Sequence, residues 1–241
     1  MAGKAGIHRC PKCAAYFNPP REAQSECPHC GIFFHKWQAG GAVAAVEVLP
    51  VDEFAEEETK RYDPVVFTGR VVALVLVAAW GLQLASLDYR VGEMGSSFMH
   101  NILLPIHEAG HVFLMPFGEF LTTLGGSLFQ VALPFGIGVA FLWKQREPFG
   151  AAIMLWWTGA SFVDLSPYVW DALDPQLTLL GGRTGADGPH DWIYLLGTIG
   201  SIHRAHGWGT AFHHLGVLMM AAGVAWGAWY CWNSWKLRKL S

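Results

Sequence analysis

The stretch FMHNILLPIHEAGHVFLMPF, residues 98–117, contains the pattern HEAGH inside an apolar run. On a helix, His107 and His111 lie four residues apart, so both imidazoles leave the same face about one turn from each other. That spacing lets both rings bind one tetrahedral Zn²⁺, with Glu108 free to act as general base on a zinc-bound water. A buried, hydrogen-bonded histidine pair is the alternative. Ionisable residues within a membrane-length apolar run are costly and usually functional, which favours the metal site.

The composition places most of the chain in a membrane. Of the 241 residues, 52% are hydrophobic and only 15% are charged, whereas soluble domains have about 25% charged residues. Twelve Trp and fifteen Phe also suit lipid contact and interfacial belts. The apolar surplus lies almost wholly after residue 64, and a formal net charge of −3 argues against a nucleic-acid-binding protein. The sequence therefore predicts a small polar head on a membrane-embedded body.

Four cysteines in the head have the spacing of metal ligands. Cys10 and Cys13 form one C-x-x-C pair, and Cys27 and Cys30 form a second after thirteen intervening residues. This pattern predicts a Cys₄ zinc ribbon over residues 1–38, in which a structural zinc supplies most of the folding free energy. Disulfides are the alternative, but they need an oxidising compartment. No signal peptide is visible, so we expect the head in the cytoplasm.

The partner of the ribbon is less well defined by its residues. The head is mildly basic and carries five aromatic residues that could stack on bases: Tyr16, Phe17, Phe33, Phe34 and Trp37. We expect these rings to form a miniature core around the zinc, and the absence of a dense basic stripe makes nucleic acid an unlikely ligand. A protein that docks on the ribbon is the better expectation. The acidic stretch that follows, residues 39–64, predicts a flexible linker.

Residues 65–241 contain apolar blocks separated by Gly, Pro and charged residues. The first block, residues 71–87, is continuous and nearly uncharged, and the second holds HEAGH. Three more follow at residues 121–143, 149–168 and 212–232. These lengths predict an all-α polytopic membrane protein with four to six membrane helices in contact with the lipid bilayer.

A catalytic zinc needs three protein ligands and one open position, so a third donor must come from elsewhere in the chain. Asp164 is the first candidate, because it is an acid at the end of an apolar block and is followed by Leu-Ser-Pro, where a helix would stop. Asp171, His190 and Asp191 are lesser candidates. His190 and Asp191 can instead form a pair that orients a ligand.

Other polar residues in apolar surroundings have open roles. Gln130 can donate a hydrogen bond to an oxyanion, or it can pack against a neighbouring helix. A further group of histidines near the last apolar block can hold a second metal or carry protons: His203, His206, His213 and His214.

Residues 98–171 resemble the intramembrane zinc metalloproteases of the site-two protease type, because HEAGH lies in an apolar segment and is followed by a glycine-bearing segment and a membrane acid. The resemblance implies peptide-bond hydrolysis in a water-accessible pocket inside the bilayer. It also implies that His107 and His111 are zinc ligands, that Glu108 is the base, and that the acid is the third ligand. That family's third ligand usually lies in a motif ending in Leu-Asp-Gly, whereas this chain has Val-Asp-Leu-Ser-Pro.

The head resembles a common bacterial zinc ribbon, which implies a bacterial inner membrane with the ribbon on the cytoplasmic side. Together these features predict a membrane-embedded zinc-dependent hydrolase, a peptidase with one structural and one catalytic zinc, acting on a peptide or membrane protein. One alternative is a non-catalytic membrane subunit or scaffold whose ribbon docks a partner protein. Another is a haem or metal electron carrier with His100, His203 or His213 as axial ligands.

Overall fold

The computed structural model describes residues 7–22, 25–36 and 63–238 of the chain. The chain divides into two compact units, Met1–Glu58 and Thr59–Ser241. The predicted acidic linker, residues 39–64, lies outside the described residues except for its last two positions.

The N-terminal unit is built on a two-stranded antiparallel sheet. Strand β1 (Ile7–Arg9) pairs with β2 (Tyr16–Arg21), and a short 3₁₀-helix follows at Phe34–Lys36. Its buried core consists of two cysteines and two aromatic rings: Cys10, Phe17, Cys27 and Phe34. Tyr16 and Phe33 are exposed, and Trp37 lies outside the described residues, so Phe17 and Phe34 are the expected rings that the structure places in the core. A core of this size rarely stabilises a fold alone, so the cysteines must contribute.

The C-terminal unit is helical. Its helices are α1 (Pro64–Ser86), α2 (Phe98–Leu114), α3 (Glu119–Trp143), α4 (Pro148–Asp171), α5 (Asp191–Thr198) and α6 (Ala205–Arg238). By length and composition, three segments of the described chain can cross a membrane: Pro64–Ser86, Glu119–Trp143 and Ile202–Lys236. The protein is therefore mostly helical and membrane-like, but the predicted four to six spans are not confirmed.

Helices α2 and α4 account for the difference in the number of spans. Helix α2 has only 17 residues, which is short for a span. Helix α4 has 24 residues but is buried along most of its length, and it packs mainly against α6 and α3. A helix enclosed by protein can carry the small and polar residues that a lipid-facing helix avoids.

Helix α2 begins at Phe98, where the apolar run begins. The Ser97 hydroxyl accepts a hydrogen bond from the amide of His100 and caps the first turn. Pro105 lies inside the helix. The helix ends at Leu114 and is followed by a 3₁₀-turn at Met115–Phe117. Gly118, with a φ of 95°, is the N-cap residue of α3.

Two glycines let α2 and α3 cross at main-chain contact. A Cβ built on Gly110 would collide with the carbonyl oxygen of Gly125, and a Cβ on Gly125 would lie 2.5 Å from the carbonyl oxygen of Gly110. Any larger residue would force the helices apart. The glycine inside HEAGH therefore sets how closely α3 approaches the two histidines.

Candidate metal centre

The two histidines of HEAGH face each other on α2. Their ring centroids lie 4.8 Å apart with the planes at 74°. One ligand atom each from His107, Glu108 and His111 lie within 4.8 Å of one another, so the group can hold a metal ion. His107 is buried and Glu108 is exposed. This is the arrangement that the i, i+4 spacing predicts for one helix face.

The carboxylate of Asp191 closes the site from the first turn of α5. Its Oδ2 atom lies 3.0 Å from Nε2 of His107 and 3.2 Å from Nε2 of His111. The main chain of Asp191 is held in turn, because its amide donates a 2.9 Å hydrogen bond to the hydroxyl of Tyr168 on α4. Three donor atoms from two distant segments thus meet at one point.

A backbone carbonyl fixes the tautomer of His111. Nδ1 of His111 lies 2.8 Å from the carbonyl oxygen of Thr122. A carbonyl only accepts hydrogen bonds, so Nδ1 must carry the proton and donate it. In the neutral ring, Nε2 therefore presents its lone pair toward Asp191.

A series of side-chain hydrogen bonds fixes the tautomer of His107. Nδ1 of His107 lies 2.9 Å from Oε1 of Gln130, and Nε2 of Gln130 donates a 2.8 Å hydrogen bond to Oδ2 of Asp164. Because Oε1 is an acceptor, Nδ1 of His107 carries the proton, and Nε2 of the neutral ring presents its lone pair. Gln130 is 1% exposed and both of its polar atoms are engaged here, so it is not free to contact an oxyanion.

The donor spacing suits zinc. Two imidazole lone pairs and a carboxylate oxygen repel one another unless a proton or a metal cation lies between them. Tetrahedral zinc with bonds of about 2.0–2.1 Å places neighbouring ligand atoms about 3.3 Å apart, close to the 3.0 and 3.2 Å between Asp191 and the two rings. Gly126 lies against both Nε2 atoms and leaves room for an ion.

Asp164, the first candidate for the third ligand, occupies a different position. Its carboxylate is engaged by Nδ1 of His100 at 2.9 Å and by Gln130, so Gln130 separates it from His107. The structure brings Asp191 to the histidines instead. The sequence could not separate these acids, because the contact depends on how the loop after α4 returns to α2.

Asp171 and His190, the other lesser candidates, pair with each other behind Asp191. Nε2 of His190 lies 3.4 Å from Oδ2 of Asp171. The other oxygen of Asp171 accepts hydrogen bonds from the amides of Gln176 and Leu177, and Nδ1 of His190 accepts one from the amide of Ile193. The pair thus anchors both ends of the loop that delivers Asp191, whereas the predicted ligand-orienting pair was His190 with Asp191.

Two of the four histidines near the last apolar block, His206 and His213, stack on aromatic rings. His206 lies 4.0 Å from the ring centroid of Trp170, and His213 lies 4.4 Å from that of Tyr89. Within residues 7–22, 25–36 and 63–238, the groups that can hold a metal are the four cysteines and the HEAGH residues. The predicted second metal at His203, His206, His213 and His214 therefore has no support in this part of the chain.

A cavity of about 970 Å³ opens onto the histidine site. His107, Glu108, His111 and Asp191 line it, together with the loop segment 177–182. The volume is at the upper end of what small-molecule sites have, about 300–1,000 Å³. The site is therefore accessible to water and to a ligand of several residues' size.

The four cysteines of the N-terminal unit form the other group that can hold a metal. Sγ of Cys10 lies 3.6 Å from Sγ of Cys30, and Sγ of Cys13 lies 3.7 Å from Sγ of Cys27. Zinc with Zn–S bonds of about 2.3 Å sets its sulfur atoms about 3.8 Å apart. Burial raises the pKa of the Cys10 thiol, but amide hydrogen bonds from Cys13 and Lys12 outweigh burial and lower it to about 6. Burial and the neighbouring Cys13 thiol raise the pKa of Cys30 to about 12, so without a metal the cluster favours a thiolate at Cys10 and a thiol at Cys30.

Each cysteine pair sits on a similar turn. The amide of Ala14 donates to the carbonyl of Cys10, and the amide of Gly31 donates to the carbonyl of Cys27. Ala14 has φ 60° and Gly31 has φ 70°. The left-handed position is thus occupied by alanine in the first turn and by glycine at the equivalent place in the second.

Three contributors to the histidine site were not predicted: His100, Thr122 and Tyr168. His100 had a signal, because it precedes His107 by two turns and shares its face. Thr122 acts through its main-chain carbonyl, which no side-chain pattern reveals.

No family model matches the chain, and neither the curated proteins nor the solved structures contain a match.

Proposed function

We propose that the protein is a membrane-embedded zinc-dependent hydrolase in which His107, His111 and Asp191 hold the catalytic ion. The observation that carries this proposal is the convergence of Asp191 Oδ2 on two Nε2 atoms at 3.0 and 3.2 Å. Both imidazoles donate from Nδ1 to fixed acceptors. Three protein ligands leave a tetrahedral ion one open position, the arrangement of catalytic zinc sites.

The side chains around the open position have distinct tasks. A bound Zn²⁺ would supply the Lewis acidity that makes water nucleophilic and polarises a carbonyl. Glu108, exposed in the cavity beside the ligands, takes the proton from the attacking water and can return it to the leaving group. Gln130 and the carbonyl of Thr122 accept from the Nδ1–H groups and keep the two imidazoles in their binding orientation.

We further propose a peptide as the substrate. The cavity of about 970 Å³ has room for a short extended segment beside Glu108, and the HEAGH residues resemble those of intramembrane metalloproteases. The ribbon is proposed to hold a structural zinc, because its thiols have the spacing that zinc requires. In this scheme the ribbon supplies a folded surface for a partner protein.

For the orientation, we propose that the ribbon and the basic ends of the helices lie in the cytoplasm of a bacterium. Arg70 near the start of α1 forms a 3.1 Å ion pair with Glu147 and lies 5.2 Å from the ring of Tyr230 on α6. The start of α1, the end of α3 and the end of α6 therefore share one side of the bundle. Lys144, Arg146 and Lys236 lie at the same side, and basic residues favour the cytoplasmic face.

Metal analysis of purified full-length protein tests the proposal. We expect two zinc ions per chain in wild type and one each in His111→Ala and Asp191→Ala, because each substitution removes one of three ligands. His203→Ala, which changes an exposed histidine outside the site, is the control and should keep two. A single zinc in wild type would mean that protons, not a metal, lie between the two histidines and Asp191. The hydrolase proposal would then be wrong, and the non-catalytic scaffold would be the better explanation.

A further inference from the structure

We propose that Asp164 is a positioning residue that sets the tautomer of His107 through Gln130, without contacting the ligand itself. This inference rests on the proposed zinc site. It assigns a task to a buried carboxylate that lies two hydrogen bonds away from Nδ1 of His107.

The direction of the chain of hydrogen bonds follows from the carboxylate. Asp164 is 6% exposed, so its charge requires hydrogen-bond donors. Its Oδ1 accepts from Nδ1 of His100 at 2.9 Å, and its Oδ2 accepts from Nε2 of Gln130 at 2.8 Å. An ionised carboxylate only accepts, so both neighbours must donate.

The Gln130 amide transmits this direction to the metal ligand. With its NH₂ group held by Asp164, its Oε1 must face Nδ1 of His107, 2.9 Å away. His107 then carries its proton on Nδ1 and leaves Nε2 free for the ion. A reversed amide would present NH₂ to Nδ1, which would favour the tautomer whose Nε2 carries a proton and cannot bind metal.

Asp164→Asn removes the carboxylate charge that sets the direction of these hydrogen bonds and changes the shape of the side chain little. The new amide side chain can present either its oxygen or its NH₂ group to Gln130, so the unproductive tautomer of His107 becomes populated. The charge that polarises the chain is also lost. Changes to the outer partners of zinc ligands typically lower metal affinity about 10–100-fold, and we expect a loss of about tenfold here.

A charge swap restores the direction. In the double variant Asp164→Asn/Gln130→Glu, the carboxylate at position 130 accepts directly from Nδ1 of His107. The amide at position 164 then donates to that carboxylate and accepts from His100. Every hydrogen bond of the chain is satisfied again, so we expect zinc affinity to return to within about threefold of wild type.

Zinc affinity of the full-length protein in detergent, measured by competition with a chromophoric chelator, tests the inference. Ser161→Ala is the matched control. The Ser161 hydroxyl donates to the main-chain carbonyl of Gln130 at 3.0 Å, so its removal leaves the hydrogen bonds of the Gln130 side chain intact. It should bind like wild type. A role in packing alone predicts that the double variant binds zinc no better than Asp164→Asn.

The possible outcomes separate the inference from the proposed function. Weak binding by Asp164→Asn with recovery in the double variant supports the positioning role. If wild type binds the second zinc and Asp164→Asn binds it equally well, only the positioning role is wrong. The same holds if the double variant fails to recover. If wild type takes no zinc at the histidines, both the hydrolase and the positioning role are overturned.

Discussion

A Cβ built on Gly126 would lie 2.5 Å from Nε2 of His111. The same Cβ would collide with the ring of His107, so the helix α3 lies against both ligand atoms with no side chain between them. Glycine at this position keeps the space in which an ion would bind. Gly110 and Gly125 bring the two helices close enough for that arrangement.

Gly126→Ala is expected to weaken zinc binding without unfolding the helix. A methyl group would push the imidazoles away from Asp191, and overpacking of this kind costs about 1–3 kcal/mol, or about 5- to 150-fold in affinity. Chelator competition on the full-length protein measures the loss. Gly136→Ala on the same helix is the control, since its Cβ would meet nothing within 4 Å. Equal affinities for the two variants would contradict the contact.

Glu108→Gln is expected to keep both zinc ions and to lose at least about 100-fold in turnover, because the amide cannot accept the proton from water. Glu108 is exposed, so the substitution should not disturb the fold. Hydrolysis of fluorescently labelled casein by the detergent-solubilised, zinc-loaded protein is the measurement. A variant as active as wild type would exclude Glu108 as the base.

Ala14→Gly is expected to stabilise the ribbon. Ala14 has a φ of 60°, a left-handed conformation that costs a non-glycine residue about 1–2 kcal/mol. Part of the gain is offset by the greater freedom of glycine in the unfolded chain. Because zinc binding and folding are linked in such small units, the gain should appear as about three- to fivefold tighter zinc retention against a chelator.

Gly31→Ala provides the opposite test in the second turn, where φ is 70°. Zinc should be retained less well, since the new methyl group imposes the strain that Ala14 already carries. If Ala14→Gly weakens retention, the two turns are not equivalent.

Local features of the sequence were sufficient for several parts of the molecule. The spacing of His107 and His111 predicts two rings on one helix face, and the two rings do face each other. The paired C-x-x-C spacing predicts one cluster of four thiols, which is the arrangement found. Both patterns act within one helix or across short turns, where geometry follows from residue spacing.

Features that depend on distant contacts were harder to predict. The choice between Asp164 and Asp191 depends on where the loop after α4 returns, and neighbouring residues carry no signal of that path. The number of candidate spans differs because α2 has only 17 residues and α4 carries polar residues, Asp164 among them, within its apolar run.

His107 and Asp191 are 84 positions apart in the chain, and yet their side chains lie 3.0 Å from each other. An ion shared between them would act as a cross-link that closes a loop of this length, much as a disulfide does. The short helix α5 has only eight residues, too few to be stable alone. Loss of the ion should therefore loosen α5 and the cavity wall before the bundle, and amide hydrogen exchange in α5 would rise first on chelation.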